Sequence, residues 1–150
     1  MKRLFGCILL ISSLLLAQSE NIQATLLELK DAGASKSALS SRLANQMMAR
    51  AKHNQTPSRP TVQRFSSDLV SALAGKDITT IRAAVLEKAI ADVLRGNGST
   101  FLPASNLRDT LAGCGVDEPT AQSIVKRFIE IGQQVRGPDD MKVMPVDRLK

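Results

Sequence analysis

The fold class is decided by residues 77–96, DITTIRAAVLEKAIADVLRG. Apolar side chains recur there every three or four positions, at Ile78, Ile81, Val85, Leu86, Ala89, Ile90, Val93 and Leu94. Charged side chains occupy the opposite face, at Arg82, Glu87, Lys88 and Asp92. This spacing predicts an amphipathic helix with one broad apolar stripe. Asp77 is expected to cap its start, and Gly96 to end it in the left-handed conformation that glycine adopts most easily.

The same rhythm continues on both sides of this segment. Before it, Thr61 is expected to cap a helix with Val62, Phe65 and Leu69 on its inner face, ended by Gly75. After it, a short helix is predicted over 103–112. Phe101 and Leu102 are expected to pack into the core and so anchor the preceding loop. Asp117 is then expected to cap a last helix that ends at Gly137 and Pro138, since proline is common just past a helix end.

Residues 20–52 predict further helix. Apolar positions over 20–31 precede Gly33, and a second segment has Ser35 or Ser37 as its candidate N-cap. Apolar residues recur every four positions in that segment, at Leu39, Leu43, Met47 and Ala51. Two alternatives remain open here: Gly33 separates two helices, or it is a weak point within one long helix.

Together these patterns predict an all-α protein, a small bundle of five or six short amphipathic helices that follows an N-terminal signal peptide. The one candidate strand is 141–146, MKVMPV, and Pro145 argues against it. The expected division is a leader over 1–19, a basic helical region over 20–52 and a linker over 53–60. A compact helical core over 61–137 and a tail over 138–150 complete it.

The leader is predicted from residues 1–19. Lys2 and Arg3 precede an apolar run over 4–17, and Ala17 and Ser19 supply the small residues of a cleavage site. The run is about 14 residues, whereas a membrane-spanning helix needs about 20. The expected location is therefore secreted or periplasmic, with membrane contact limited to the signal peptide or weak surface charge.

Charge is unevenly distributed over the rest of the chain. Residues 20–64 hold seven basic and three acidic side chains, whereas residues 65–150 hold eleven of each. Removal of the leader takes Cys7 away and leaves Cys114 without a disulfide partner. A buried thiol is then favoured over an intermolecular bridge, because free cysteine is among the most buried residue types.

The chain has too few of the side chains that metal, cofactor and catalytic sites need. The sequence holds one histidine, His53, and no tryptophan or tyrosine. Zinc needs three or four thiolate, imidazole or carboxylate ligands, so no metal site is predicted. No glycine-rich phosphate loop or nucleophile with an oriented base is present, so no cofactor and no catalytic residue are predicted. The adjacent acids Asp117 and Glu118 suit the first turn of a helix, where the dipole stabilises them.

Residues 104–135 resemble a helix-turn-helix DNA-binding motif. The turn at Gly115, Val116 and Asp117 would place Thr120 and Gln122 near the bases. Two features depart from that pattern: the spacing before Gly115 is one residue short, and the second helix begins with acids that repel phosphate. Nucleic acid is therefore disfavoured as a partner.

The leading functional hypothesis is an exported, non-catalytic helical protein that acts as a protein-interaction module. Its candidate partner-binding residues are Arg42, Met47, Met48, Arg50 and Lys52, where methionine offers adaptable apolar contacts beside positive charge. The competing interpretation of the Leu39–Leu43–Met47 stripe is that it belongs to the core. The alternative functions are DNA binding through residues 104–135 and an enzyme of unrecognised type. The partner's identity and the oligomeric state stay open.

Overall fold

The chain forms six α-helices in the computed structural model, which describes residues 21–31, 33–51, 56–96 and 98–141. The helices are α1 (Ile22–Glu28), α2 (Lys36–Arg50), α3 (Arg59–Leu73), α4 (Thr80–Arg95), α5 (Phe101–Gly113) and α6 (Glu118–Met141). No strand occurs in these ranges. The predicted all-α bundle is confirmed. The leader, Lys52, His53 and most of the candidate strand lie outside the described residues.

Polar caps set most of the helix starts. Asn21 and Ser35 accept backbone N–H groups at the first turns of α1 and α2, so Ser35 is the cap and two separate helices form around Gly33. The expectation for Thr61 was wrong, because Ser58 caps α3 one turn earlier and Pro60 fits the first turn, where its missing N–H costs nothing.

Two further boundaries correct the sequence expectation, and one confirms it. Thr79, not Asp77, caps α4 by accepting the N–H of Arg82 at 3.1 Å. Gly96 ends α4 with φ +70°, as predicted. The expected end of the last helix was wrong, because α6 continues past Gly137 and Pro138 to Met141.

The core is one cluster to which all six helices contribute. The helices α3 and α6 run antiparallel, since Ser58 lies beside Gln134 and the rings of Phe65 and Phe128 meet at 5.8 Å between centroids. The helices α4 and α5 form a second antiparallel pair, joined by the loop after Gly96. The stripe Leu39, Leu43, Met47 and Ala51 is buried in this cluster. The core interpretation of the stripe therefore holds.

Gly132 lets α6 approach the end of α4 and the turn before α5. A Cβ at this position would lie 3.0 Å from Val93 Cγ2 and would collide with Thr100 Cγ2. Thr100 is itself buried. It therefore anchors this loop in the core, a role that the sequence predicted for Phe101 and Leu102.

Phe101 and Leu102 do not enter the core, and that expectation was wrong. Their side chains are 76% and 66% exposed. The helix α5 begins at Phe101, and its buried residues are Pro103, Ala104, Leu107 and Leu111. The two large apolar side chains thus lie in its first turn and project into solvent.

Candidate functional site

The predicted partner-binding methionines lie in different environments. Met47 is fully buried, and its Sδ is 3.7 Å from the hydroxyl of Ser66 on α3. Met48 is half-buried and packs against the edge of the core. The structure therefore brings Met48 towards solvent and places Met47 inside, because α2 turns its four-residue stripe towards α3.

The predicted basic residues hold α2 to its neighbours. Arg42 pairs with Glu28 of α1 at 2.5 Å, with both side chains about half exposed. Arg50 pairs with Glu87 of α4 at 3.3 Å. Lys52 lies outside the described residues. A partner-binding role for the five residues stays a prediction, and the guanidinium groups already have structural partners.

Glu87 joins three helices, which the sequence did not predict. One carboxylate oxygen accepts the backbone N–H of Gln23 in α1 at 2.6 Å, and the other accepts from Arg50 of α2. Nearby, the buried Thr25 hydroxyl donates to Gln46 of α2 at 2.9 Å. These polar contacts fix α1 and α2 against α4. Sequence spacing alone could not reveal them, because the partners are far apart in the chain.

Glu87→Ala should lower the free energy of unfolding by about 1.5–3 kcal/mol, the range for hydrogen bonds that involve a charged group. The reason is that Gln23 N–H and Arg50 would both lose their acceptor. The matched control is Asp92→Ala on the same helix, whose carboxylate pairs with the exposed Lys88 and should contribute less than about 1 kcal/mol. Urea unfolding measures both. Equal losses for the two variants would contradict the role given to Glu87.

The region 104–135 forms two helices around a turn, and the two acids at the start of its second helix form local contacts. Asp117 caps α6, accepting the backbone N–H of Thr120 at 3.2 Å and its hydroxyl at 2.8 Å. The side-chain and backbone hydrogen bonds from Thr120 lower the pKa of Asp117. Glu118 pairs with Arg108 of α5 and accepts from Gln122 at 3.1 Å. The residues expected to face DNA bases thus form an acidic, internally bonded helix start.

Cys114 is buried at the end of α5 and is free, as the sequence indicated. Burial raises the pKa of its thiol, against the opposing charge of Arg82. The thiol is therefore held in its protonated, less nucleophilic form at neutral pH. Within the described ranges, no group of three His, Cys, Asp or Glu side chains is placed to hold a metal ion.

An exposed apolar pair lies at the start of α5. Phe101 and Leu102, here named the Phe101–Leu102 patch, are adjacent and largely in solvent. Ile81 is 78% exposed but stands alone near the start of α4, at the opposite end of the α4–α5 pair. The sequence contained no signal for the patch, because composition does not show which apolar residues are exposed.

Two arginines lie at this end of the bundle. Arg95 is two-thirds exposed at the end of α4, and its contact with Asp92 is a loose 3.9 Å. Asp92 has a closer partner in Lys88, at 2.9 Å. Arg59 starts α3 at the same end, where Ser58 meets Gln134 of α6, and it donates to the neutral side chain of Asn45. The patch thus lies at the same end of the bundle as these two arginines.

A second surface feature is an open groove of about 580 Å³ between α3 and α6, here named the α3–α6 groove. Its polar lining includes Asp68, Ser71, Lys76, Asp117, Thr120 and Ser123. Val116 and Ile124 form part of its apolar floor. Asp68 is held by Arg127 at 2.8 Å. The groove therefore combines both signs of charge with an apolar floor.

Comparison with known proteins gave no relative. No family model matches the chain, and no curated protein and no solved structure matches it either. In the described residues, no helix is both long enough and apolar enough to cross a membrane. The surface features of this chain are therefore what indicates its function.

Proposed function

We propose that the protein is an exported, non-catalytic interaction module that binds an acidic protein partner through the Phe101–Leu102 patch. The observation that carries this proposal is the adjacent pair of large apolar side chains, 76% and 66% exposed. Neighbouring exposed apolar side chains surrounded by polar ones are typical of protein interaction sites. Aromatic residues also dominate the binding energy of such sites.

The chemistry of the partner follows from the charges beside the patch. Arg59 and Arg95 lie at this end of the bundle, where Arg59 donates to the neutral side chain of Asn45 and Arg95 contacts Asp92 only at 3.9 Å. A complementary surface would present an apolar pocket or side chain with carboxylates at its rim, and such charge pairs guide association and orientation. The export part of the proposal is supported by the leader-like pattern of residues 1–19.

The two alternative functions have weaker support. DNA binding would use the start of α6, where Asp117 and Glu118 are acidic and engaged with Thr120, Arg108 and Gln122. An enzyme would need an activated nucleophile or base. The thiol of Cys114 is buried and its raised pKa opposes activation.

Replacement of both patch residues, in the variant F101S/L102S, should abolish partner capture without loss of folding. The chain is immobilised, exposed to an extract of exported proteins from its own cells, and the retained partner is then titrated directly. We expect at least a tenfold rise in Kd for the double variant, equal to about 1.4 kcal/mol. Rising salt should weaken the wild-type complex, because it screens the attraction of Arg59 and Arg95 for an acidic partner.

The matched control is I81S, which removes an equally exposed but isolated apolar side chain. It should retain the partner at the wild-type ratio. Recovery of the same partner by wild type and the control, with loss in the double variant, supports the proposal. Equal recovery by all three chains, or recovery of nothing by wild type, would overturn it.

A further inference from the structure

The α3–α6 groove contains hydrogen-bonding groups that the fold does not use. Lys76 follows the end of α3, and no carboxylate in the described part of the chain forms an ion pair with its ammonium group. The hydroxyls of Ser71 and Ser123 likewise have no hydrogen-bond partner among the described residues. These three donors are available to a ligand in the groove.

The acids of the groove are fixed in place rather than free to move. Arg127 holds Asp68 through Nε at 2.8 Å, and Thr120 donates twice to Asp117. Each carboxylate keeps unused acceptor positions, because a carboxylate has about four lone-pair sites. A ligand's ammonium group could therefore be bound without breaking the existing contacts.

The floor and the size restrict the body of the ligand. Ile124 is fully buried, Val116 is nearly so, and Pro119 adds apolar surface at the start of α6. The volume of about 580 Å³ lies within the usual range for small-molecule sites. It equals roughly twenty water volumes, which is more than one amino acid fills.

We propose that the α3–α6 groove binds a short apolar peptide through its free termini, with the peptide carboxylate at Lys76 and its ammonium group at Asp68 and Asp117. The apolar side chains of the peptide lie on Val116, Pro119 and Ile124. This site is separate from the Phe101–Leu102 patch and does not depend on the proposed protein partner. The inference rests on Lys76, whose ammonium forms no ion pair with a described carboxylate, in a groove that also carries two oriented carboxylates. The charge of Lys76 reaches one of them, since, after the larger effect of the Thr120 hydrogen bonds, it contributes to lowering the pKa of Asp117.

The test uses leucyl-leucine as the probe, with its N-acetylated and C-amidated forms as ligand controls. Backbone amide shifts of the full folded protein are followed by NMR during titration to about 10 mM, the range of weak small-ligand binding. We expect saturable shifts around 71–76 and 116–124. Both blocked peptides should bind about fivefold more weakly or worse, because each loses one charged contact.

Variant Lys76→Gln separates this site from general charge attraction. It should weaken leucyl-leucine about fivefold or more, while leaving the affinity for the C-amidated peptide unchanged. The matched control is Lys126→Gln, an exposed lysine on α6 that does not line the groove. Absence of saturable shifts would overturn the proposal. Equal binding of the blocked peptides, or equal weakening by both lysine variants, would also overturn it.

Discussion

Phe65→Ala should lower the free energy of unfolding by about 3–5 kcal/mol, among the largest effects expected for a single substitution in this chain. Phe65 and Phe128 are both fully buried, with ring centroids 5.8 Å apart and an interplanar angle of 42°. Removal of one ring leaves a cavity and takes the partner ring's contact away. The loss is large because α3 and α6 are joined in the core at this ring pair.

The matched control is Phe101→Ala, the same substitution at a side chain that is 76% exposed. It should change stability by no more than about 0.5 kcal/mol, as surface substitutions usually do. Urea unfolding followed by circular dichroism measures both variants. Similar losses at the two positions would contradict the burial pattern and, with it, the exposure on which the Phe101–Leu102 patch depends.

Met47→Ala should cost about 2–5 kcal/mol, whereas Met48→Ala should cost only a fraction of that. The two methionines are adjacent, but Met47 is fully buried between α2 and α3 and Met48 lies at the edge of the core. Thermal and urea unfolding of the two variants provide the comparison. The single transition should be kept in both cases, because α2 shares one core with the other helices.

A larger loss of stability for Met48→Ala than for Met47→Ala would indicate that Met47 is exposed. The stripe Leu39, Leu43 and Met47 would then be available for partner binding. The same comparison bears on the partner-binding prediction for residues 42–52. If Met48→Ala leaves both stability and partner capture unchanged, then binding does not involve the exposed methionine of this helix.

Periodicity was sufficient to predict the all-α class and most inward faces, because an apolar stripe every three or four residues needs only one core to bury it. Residue preferences at helix ends predicted the Gly96 stop and named Ser35 with Ser37 as candidate caps of α2, and the usual burial of free cysteine predicted that of Cys114. The cap preferences misplaced the starts of α3 and α4, since several Ser, Thr and Asp residues near each start are chemically able to cap. Which of them accepts the N–H group is decided by how the helix packs.

The surface features could not be predicted from the sequence, for a different reason. Phe101 was assigned to the core because large apolar side chains usually go there, and its exposure depends on α5 beginning at that residue. The Glu87 contacts join residues 37 and 64 positions apart in the chain, and the groove joins α3 to α6. Local residue spacing does not determine such long-range contacts, so they could not be predicted from one sequence.

The anchoring of α1 by Glu87 has a consequence for how the chain folds as it is made. With seven residues, α1 is too short to be stable in isolation. The carboxylate that binds its backbone at Gln23 lies 64 residues later. A nascent chain that emerges amino end first therefore lacks the contact that holds α1 to α4 until residue 87 has been made.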